Sequence, residues 1–232
     1  MSQSSGGLAR KLCAVFFFMV VMFSFAAHSF GQAESIRRTF VWTYGEKTWS
    51  FTYDFPLSAY QLQTSLTRTL DYNSYDVYVN DPRDDQVLED FVERIEETAA
   101  GLNIWERLNL VIALVQSIPY VGESCEYPRY PLEMLVDGQG DCEDAAILTA
   151  ALVKNMGFDV VLLAFLEESH MAVGIRVLPP LHQDLTSYEW NGSLYFYLEP
   201  TTLGWAIGQI PPTYVSQPAI IGLHETYASL KP

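Results

Sequence analysis

Three residues in the C-terminal half have the types and order for nucleophilic chemistry: Cys142, His170 and Glu199. Cys142 follows Gly138-Gln139-Gly140-Asp141 and opens a run to Met156 that reads as a helix stopped by Gly157. A thiol in the first turn of a helix meets unpaired amide donors and the positive end of the helix dipole, and both favour the thiolate. The preceding glycines let the backbone come close to a substrate. His170 begins a strand-like run, HMAVGIRV, and Glu199 closes a later one within YLEPTT. A cysteine at a helix start facing an imidazole and a carboxylate from adjacent strands is a triad arrangement. The His takes the thiol proton, and the carboxylate fixes the ring tautomer. Plainer readings stand beside this one: a structural cysteine, a surface histidine, and a glutamate that serves the turn before Pro200.

Asp141, Glu143 and Asp144 crowd the same thiol. Three carboxylates raise a thiol pKa. A bound Ca²⁺ would cancel that effect, and carboxylate oxygens suit so hard a cation. The alternative is that Asp141 and Asp144 only cap the helix, in a capping box, while Glu143 is solvated. The chemistry itself requires no cofactor. The Cys142 backbone N–H is the natural oxyanion donor. Gln116, just before Ile118-Pro119-Tyr120, is the candidate second donor, or else a polar residue at a helix end.

The elements that must position these groups can be read from periodicity. Residues 38–55 alternate aromatic and polar side chains around Tyr44-Gly45-Glu46-Lys47, which predicts a β-hairpin whose aromatic side packs on the rest of the chain. Residues 58–70 predict a short helix, and 71–83 a connecting segment. Helical spacing recurs over 84–100 and 104–117. A loop of about twenty residues containing Pro128 and Pro131 follows. After the Cys142 helix come strand-like runs at 158–165, 171–178 and 193–198, and Asn191-Gly192 reads as the turn joining the last two. The order predicts an α+β fold. Trp205 is expected to pack on the sheet, as is the Tyr195-Phe196-Tyr197 run. His182 and His224 carry no expected role, and Asp184 and Glu189 are expected in loops.

The stretch YPLEMLVDGQGDCEDAAILTAALVKNMGFDVVLL, then HMAVGIRV, then YFYLEPT, resembles the transglutaminase-like cysteine-enzyme superfamily. The Gly-Asp-Cys-Glu-Asp form is similar to the bacterial transglutaminase-like cysteine proteinases. The resemblance covers residues 105–210. It implies a papain/transglutaminase-like fold, with a central helix carrying the nucleophile packed on an antiparallel sheet. It also implies Cys142 as nucleophile, His170 as base and Glu199 as the orienting acid, where Asp is the commoner residue. The acidic residues Asp141, Glu143 and Asp144 are implied as calcium ligands. Its substrates would be proteins or peptides. Hydrolysis by a cysteine peptidase is the first expectation, and acyl transfer to an amine (protein crosslinking) the alternative. A third reading is a non-catalytic binding module held by a Cys125–Cys142 disulfide.

The bulk properties frame these readings. The chain has 232 residues, of which 49% are hydrophobic and 14% aromatic, enough to bury a substantial core. Arg10-Lys11 followed by the uncharged run Leu12 to Ala27, with Gly31 and Ala33 beyond, reads as a signal peptide over residues 1–33, or an uncleaved signal anchor. Cys13 lacks the small-residue context of a lipoprotein site. Residues 34–83 then supply the hairpin and connecting segment, and 84–232 the catalytic domain. The chain is expected to be exported, periplasmic or extracellular, with a membrane partner only if the leader stays attached. Without the leader, 11 basic residues face 28 acidic ones, a net charge near −17. Such a field repels polyphosphates, so no nucleic-acid partner is expected.

Overall fold

The computed structural model describes residues 34–177 and 185–223. The leader, Leu178, His182, Asp184 and His224 lie outside the described residues.

The chain enters as a hairpin of β1 (Ser35–Tyr44) and β2 (Lys47–Pro56), which pairs Trp42 with Trp49 and Phe40 with Phe51. The turn is Gly45-Glu46, and Gly45 takes φ 63°. Strand alternation puts Phe40, Trp42, Trp49, Phe51 and Phe55 on one face. That face closes over Phe91, whose ring lies 5.2 Å from Phe40 and 5.3 Å from Phe51. Trp42 Nε1 donates to the Leu110 carbonyl at 3.1 Å, so the hairpin is pinned by a hydrogen bond as well as by area.

Helix α1 (Leu57–Thr64) is shorter than the periodicity predicts. Ser65 stops it: its hydroxyl and its amide both turn back to the Leu62 carbonyl. The segment expected to be irregular contains a 3₁₀ turn at Tyr72–Ser74, capped by Asp71, and a single helical turn α2 (Asp76–Val79). Its Tyr75 and Tyr78 are buried. Helix α3 (Asp85–Thr98) presents Leu88, Phe91, Val92 and Ile95 to the core. Helix α4 (Ile104–Gln116) opens with an Asn103–Glu106 capping box. The predicted twenty-residue loop is interrupted by α5 (Pro131–Asp137), started by a proline in its first turn and ended by Gly138 at φ 68°.

Helix α6 (Cys142–Asn155) is buried almost throughout; its Ala145, Ala146, Ala150 and Ala151 allow close approach to the sheet. That sheet contains β3 (Asp159–Phe165), β4 (His170–Arg176), β5 (Ser187–Trp190), β6 (Ser193–Leu198) and β7 (Ala219–Gly222), in spatial order β5-β6-β4-β3-β7, with every neighbouring pair antiparallel. α6 packs on β3 and β4. The expected α+β class is therefore the one observed: a central helix bearing Cys142 against an antiparallel sheet, with an N-terminal hairpin. Two details differ. Asn191-Gly192 joins β6 to the additional strand β5, whereas β6 reaches β4 by side-by-side pairing. Glu189 lies in β5, not in a loop.

Phe91 is fully buried at the centre of the hairpin's aromatic face. Phe91→Ala is expected to lower unfolding free energy by about 3–5 kcal/mol, read from the urea midpoint at unchanged m-value.

Candidate active site

The approach to α6 is held by close contacts. A Cβ at Gly140 would meet Asp144 Cβ at 2.8 Å, so only glycine fits. The Gly140 carbonyl accepts from Val121 N at 2.8 Å, which ties the loop beyond α4 to the residues leading into the helix. Asp141 N donates to Asp144 Oδ2 at 3.3 Å, the reciprocal arm of the expected capping box.

Asp144 is further committed. Its carboxylate accepts from Arg129 Nη1 at 2.5 Å and from the Arg129 amide at 2.6 Å. The same guanidinium reaches Glu123 at 2.5 Å and Asp137 at 3.3 Å. Among the described residues, Asp141 and Glu143 have no such cation. Burial pushes both carboxyls up, and for Glu143 the hydrogen bond and charge of Asp141 push further. The two behave as a pair that retains a proton between them. Asp141 Oδ1 is buried without a hydrogen-bond partner, as is Glu123 Oε2.

The Cys142 thiol donates to Glu143 Oε2 at 3.3 Å. Its pKa is pushed up to about 12, first by burial and then by the Glu143 charge; the Met171 backbone N–H pulls the other way. The sequence expectation that neighbouring carboxylates suppress the thiolate thus has its counterpart in the geometry. The helix dipole alone does not offset them.

The opposite wall of the site comes from β4 and β6. Val173 pairs with Leu198. One step further along that antiparallel register, Glu199 lies opposite Ala172, and His170 is the diagonal neighbour on the same face. A diagonal is a long reach, and the additional methylene of Glu relative to Asp helps to span it. Glu199 Oε2 meets His170 Nε2 at 3.0 Å. The carboxylate is 2% exposed and takes three further hydrogen bonds: from Tyr197 Oη at 2.7 Å, Thr201 N at 3.0 Å and Thr201 Oγ1 at 2.6 Å. Burial pushes its pKa up, but the hydrogen bond and charge of His170, with the Thr201 and Tyr197 hydroxyls, outweigh burial and bring it to about 2. An ionised carboxylate accepts, so Nε2 carries the proton of that hydrogen bond.

Cys142, Glu143, Ser169, His170 and Met171 line one cavity of about 260 Å³, rimmed by Tyr75 and Glu126. The nucleophile and base candidates are thus brought to the same space. Gln116 is not part of it. Its amide nitrogen donates to the Glu199 carbonyl at 2.8 Å and to the Trp205 carbonyl at 3.1 Å, and it lines a different cavity with Trp205 and Tyr44. In this geometry Gln116 braces the backbone behind Glu199. Cys125 and Cys142 are both free thiols, Cys125 exposed. Tyr197, Thr201 and Tyr214 join the site in the structure without being expected there from the sequence. A threonine two residues beyond Glu199 is a local cue for the first contact; Tyr214, whose ring stacks 4.5 Å from His170, has no local signal.

No family model and no curated protein matches the sequence. Solved structures do resemble the chain. Calcium-bound LapG of Legionella pneumophila is 17% identical, over 70% of this chain and 80% of that one, with a TM-score of 0.37. A provisionally assigned cysteine protease of Cytophaga hutchinsonii is 12% identical, over 80% and 71%, with a TM-score of 0.39. Residue roles in this chain therefore rest on the geometry above.

The depressed Glu199 pKa has a defined sign. Relative to an ordinary value of 4.5, its stabilisation is complete above that pH and is lost as pH falls towards 2. Glu199→Gln should be less stable than wild type near neutrality by on the order of 2–3 kcal/mol. The gap should narrow between pH 5 and about 2 in denaturant titrations run at stepped pH.

Proposed function

We propose that this chain is an exported thiol hydrolase, a cysteine peptidase of the transglutaminase-like type, working through Cys142, His170 and Glu199. The observation that carries the reading is the buried His170–Glu199 pair at 3.0 Å, whose imidazole borders the same cavity as the Cys142 sulfur.

His170 Nδ1 takes the thiol proton while Glu199 holds Nε2–H and stabilises the imidazolium. The thiolate attacks the scissile carbonyl carbon. The resulting oxyanion sits at the N-terminus of α6, where the Cys142 backbone N–H is a donor. Collapse breaks the C–N bond, and the leaving amine takes the proton from His170. Water, deprotonated by His170, then cleaves the thioester and regenerates the thiol. Protein and peptide amides are the substrates on which this chemistry would act. Residues 1–33 serve as the export leader. Among the described residues no helix is long and apolar enough to cross a membrane.

The acidic residues beside the sulfur fit a hard cation in part. Asp141, with a buried oxygen lacking a partner, and Glu143, sharing its proton, have the donor chemistry for Ca²⁺. Asp144 is already engaged by Arg129, and no cluster of three acidic, His or Cys side chains arranged for a metal occurs among the described residues. A cation held by Asp141 and Glu143 would offset the negative charge that disfavours the thiolate.

Cys142→Ala is expected to remove all release of new N-termini from a protein substrate, with the melting temperature unchanged. Loss of folding in that variant would make the cysteine structural instead. Amine incorporation into glutamine-containing protein, in place of cleavage, would reassign the activity to acyl transfer. A Cys125–Cys142 bridge resistant to mild reductant, seen by mass spectrometry, would favour the non-catalytic module. Iodoacetamide should alkylate Cys142 roughly tenfold faster with Ca²⁺ than with chelator, and equal rates would remove calcium from the account.

A further inference from the structure

The imidazole of His170 is held on more than its Glu199 edge. Its face is covered by Tyr214, with ring centroids 4.5 Å apart and planes 27° from parallel. Tyr214 belongs to the segment between β6 and β7, with no regular structure around it, so its placement needs a separate cause. That cause lies in the turn that precedes β4. Glu168 lies in the turn between β3 and β4, two residues before His170. Its Oε1 accepts from Val215 N at 3.0 Å and Ser216 N at 2.9 Å, and its Oε2 accepts from the Ser216 hydroxyl. Three donors from the two residues after Tyr214 converge on one carboxylate. The turn that delivers the histidine is therefore stitched to the segment that covers it. Phe165, the cross-strand partner of His170, backs the tyrosine at 5.9 Å.

We propose that Tyr214 is a positioning residue for His170, and that Glu168 acts through Tyr214 by fastening residues 214–216 to the turn that presents the imidazole. The inference rests on the reading of His170 as the base and adds to it. A face-on contact fixes the plane of the ring, so that Nε2 stays on Glu199 while Nδ1 stays directed into the cavity that holds the sulfur. It also keeps water from the Nε2–H···Glu199 hydrogen bond. The electron-rich face of the phenol favours the imidazolium that forms when the thiol proton moves. Tyr214 is near enough to the reacting groups that, after burial, the charges of Glu199, Cys142 and Glu168 all raise its own pKa. The turn is under conformational tension too: Ser169, between Glu168 and His170, adopts φ 49°. A turn held in that conformation benefits from an external tether.

The test uses the full protein labelled with ¹⁵N-histidine, with the His170 signals assigned through His170→Gln. In wild type the His170 Nε2–H proton should give a sharp downfield resonance protected from solvent exchange. Tyr214→Phe keeps the stacked ring and should retain the resonance, with Cys142 alkylation by iodoacetamide within twofold of wild type. Tyr214→Ala should speed exchange of that proton and slow alkylation, each by about tenfold, the size of one aromatic contact. Glu168→Ala, at a position outside the core, should reproduce the exchange defect in a fully folded protein. An unchanged resonance and unchanged alkylation in Glu168→Ala or in folded Tyr214→Ala overturns the proposal. So does a Tyr214→Phe variant as damaged as Tyr214→Ala. A wild-type protein whose His170 resonance is indifferent to Glu199→Gln instead sinks the triad reading itself, which separates the two failures.

Discussion

A single ionised carboxylate, almost wholly withdrawn from water, sets the terms for the site. Removing the charge of Glu199 from solvent is costly unless its oxygens are fully occupied. Here the imidazole of His170, the Tyr197 hydroxyl, and the amide and hydroxyl of Thr201 occupy them. Each donor constrains something. Tyr197 ties the carboxylate to its own strand, Thr201 curls the chain just past β6, and His170 is drawn across from β4. Gln116, at the end of α4, adds a brace by holding the Glu199 carbonyl. The orientation of the His170 ring thus follows from satisfying a buried charge.

The other half of the site is arranged in the opposite electrostatic sense. Around Cys142, carboxylates are left short of partners: Asp141 and Glu143 lean on each other, and the sulfur beside them resists ionisation. One arginine could have relieved this, but Arg129 is turned away to Asp144, Glu123 and Asp137. The molecule therefore places a strongly ionised acid behind its imidazole and a reluctant thiol in front. On the proposed mechanism, neutralising the acidic pair is what would ease ionisation of the Cys142 thiol.

The long, strongly patterned elements were legible in the sequence. The hairpin, α3, α4, α6 and the strands β3, β4 and β6 follow from periodicity and capping residues that act locally. What escaped is what depends on partners far along the chain. α5 has only seven residues, too few for a period, although Pro131 and Gly138 mark its ends. β5 and β7 have four residues each and exist because a neighbouring strand offers a ladder. Within the site, Cys142, His170 and Glu199 could be chosen by residue type and order. Gln116 lies near the α4 tip in sequence, but its amide is directed to the Glu199 and Trp205 carbonyls. Tyr214 is separated from His170 by forty-odd residues, and no local pattern announces a contact made through a distant glutamate.

The two borders of the main sheet have a consequence for how a polypeptide could be grasped. β5 and β7 form its edges, and at four residues apiece they offer few unpaired backbone groups to an incoming extended chain. Annexing a foreign strand to the ladder, a common way of capturing peptides, has little footing here. The short margins also limit edge-to-edge pairing of this sheet with another copy. On the proposed function, recognition of a polypeptide is then left to the side chains and loops around the N-terminus of α6.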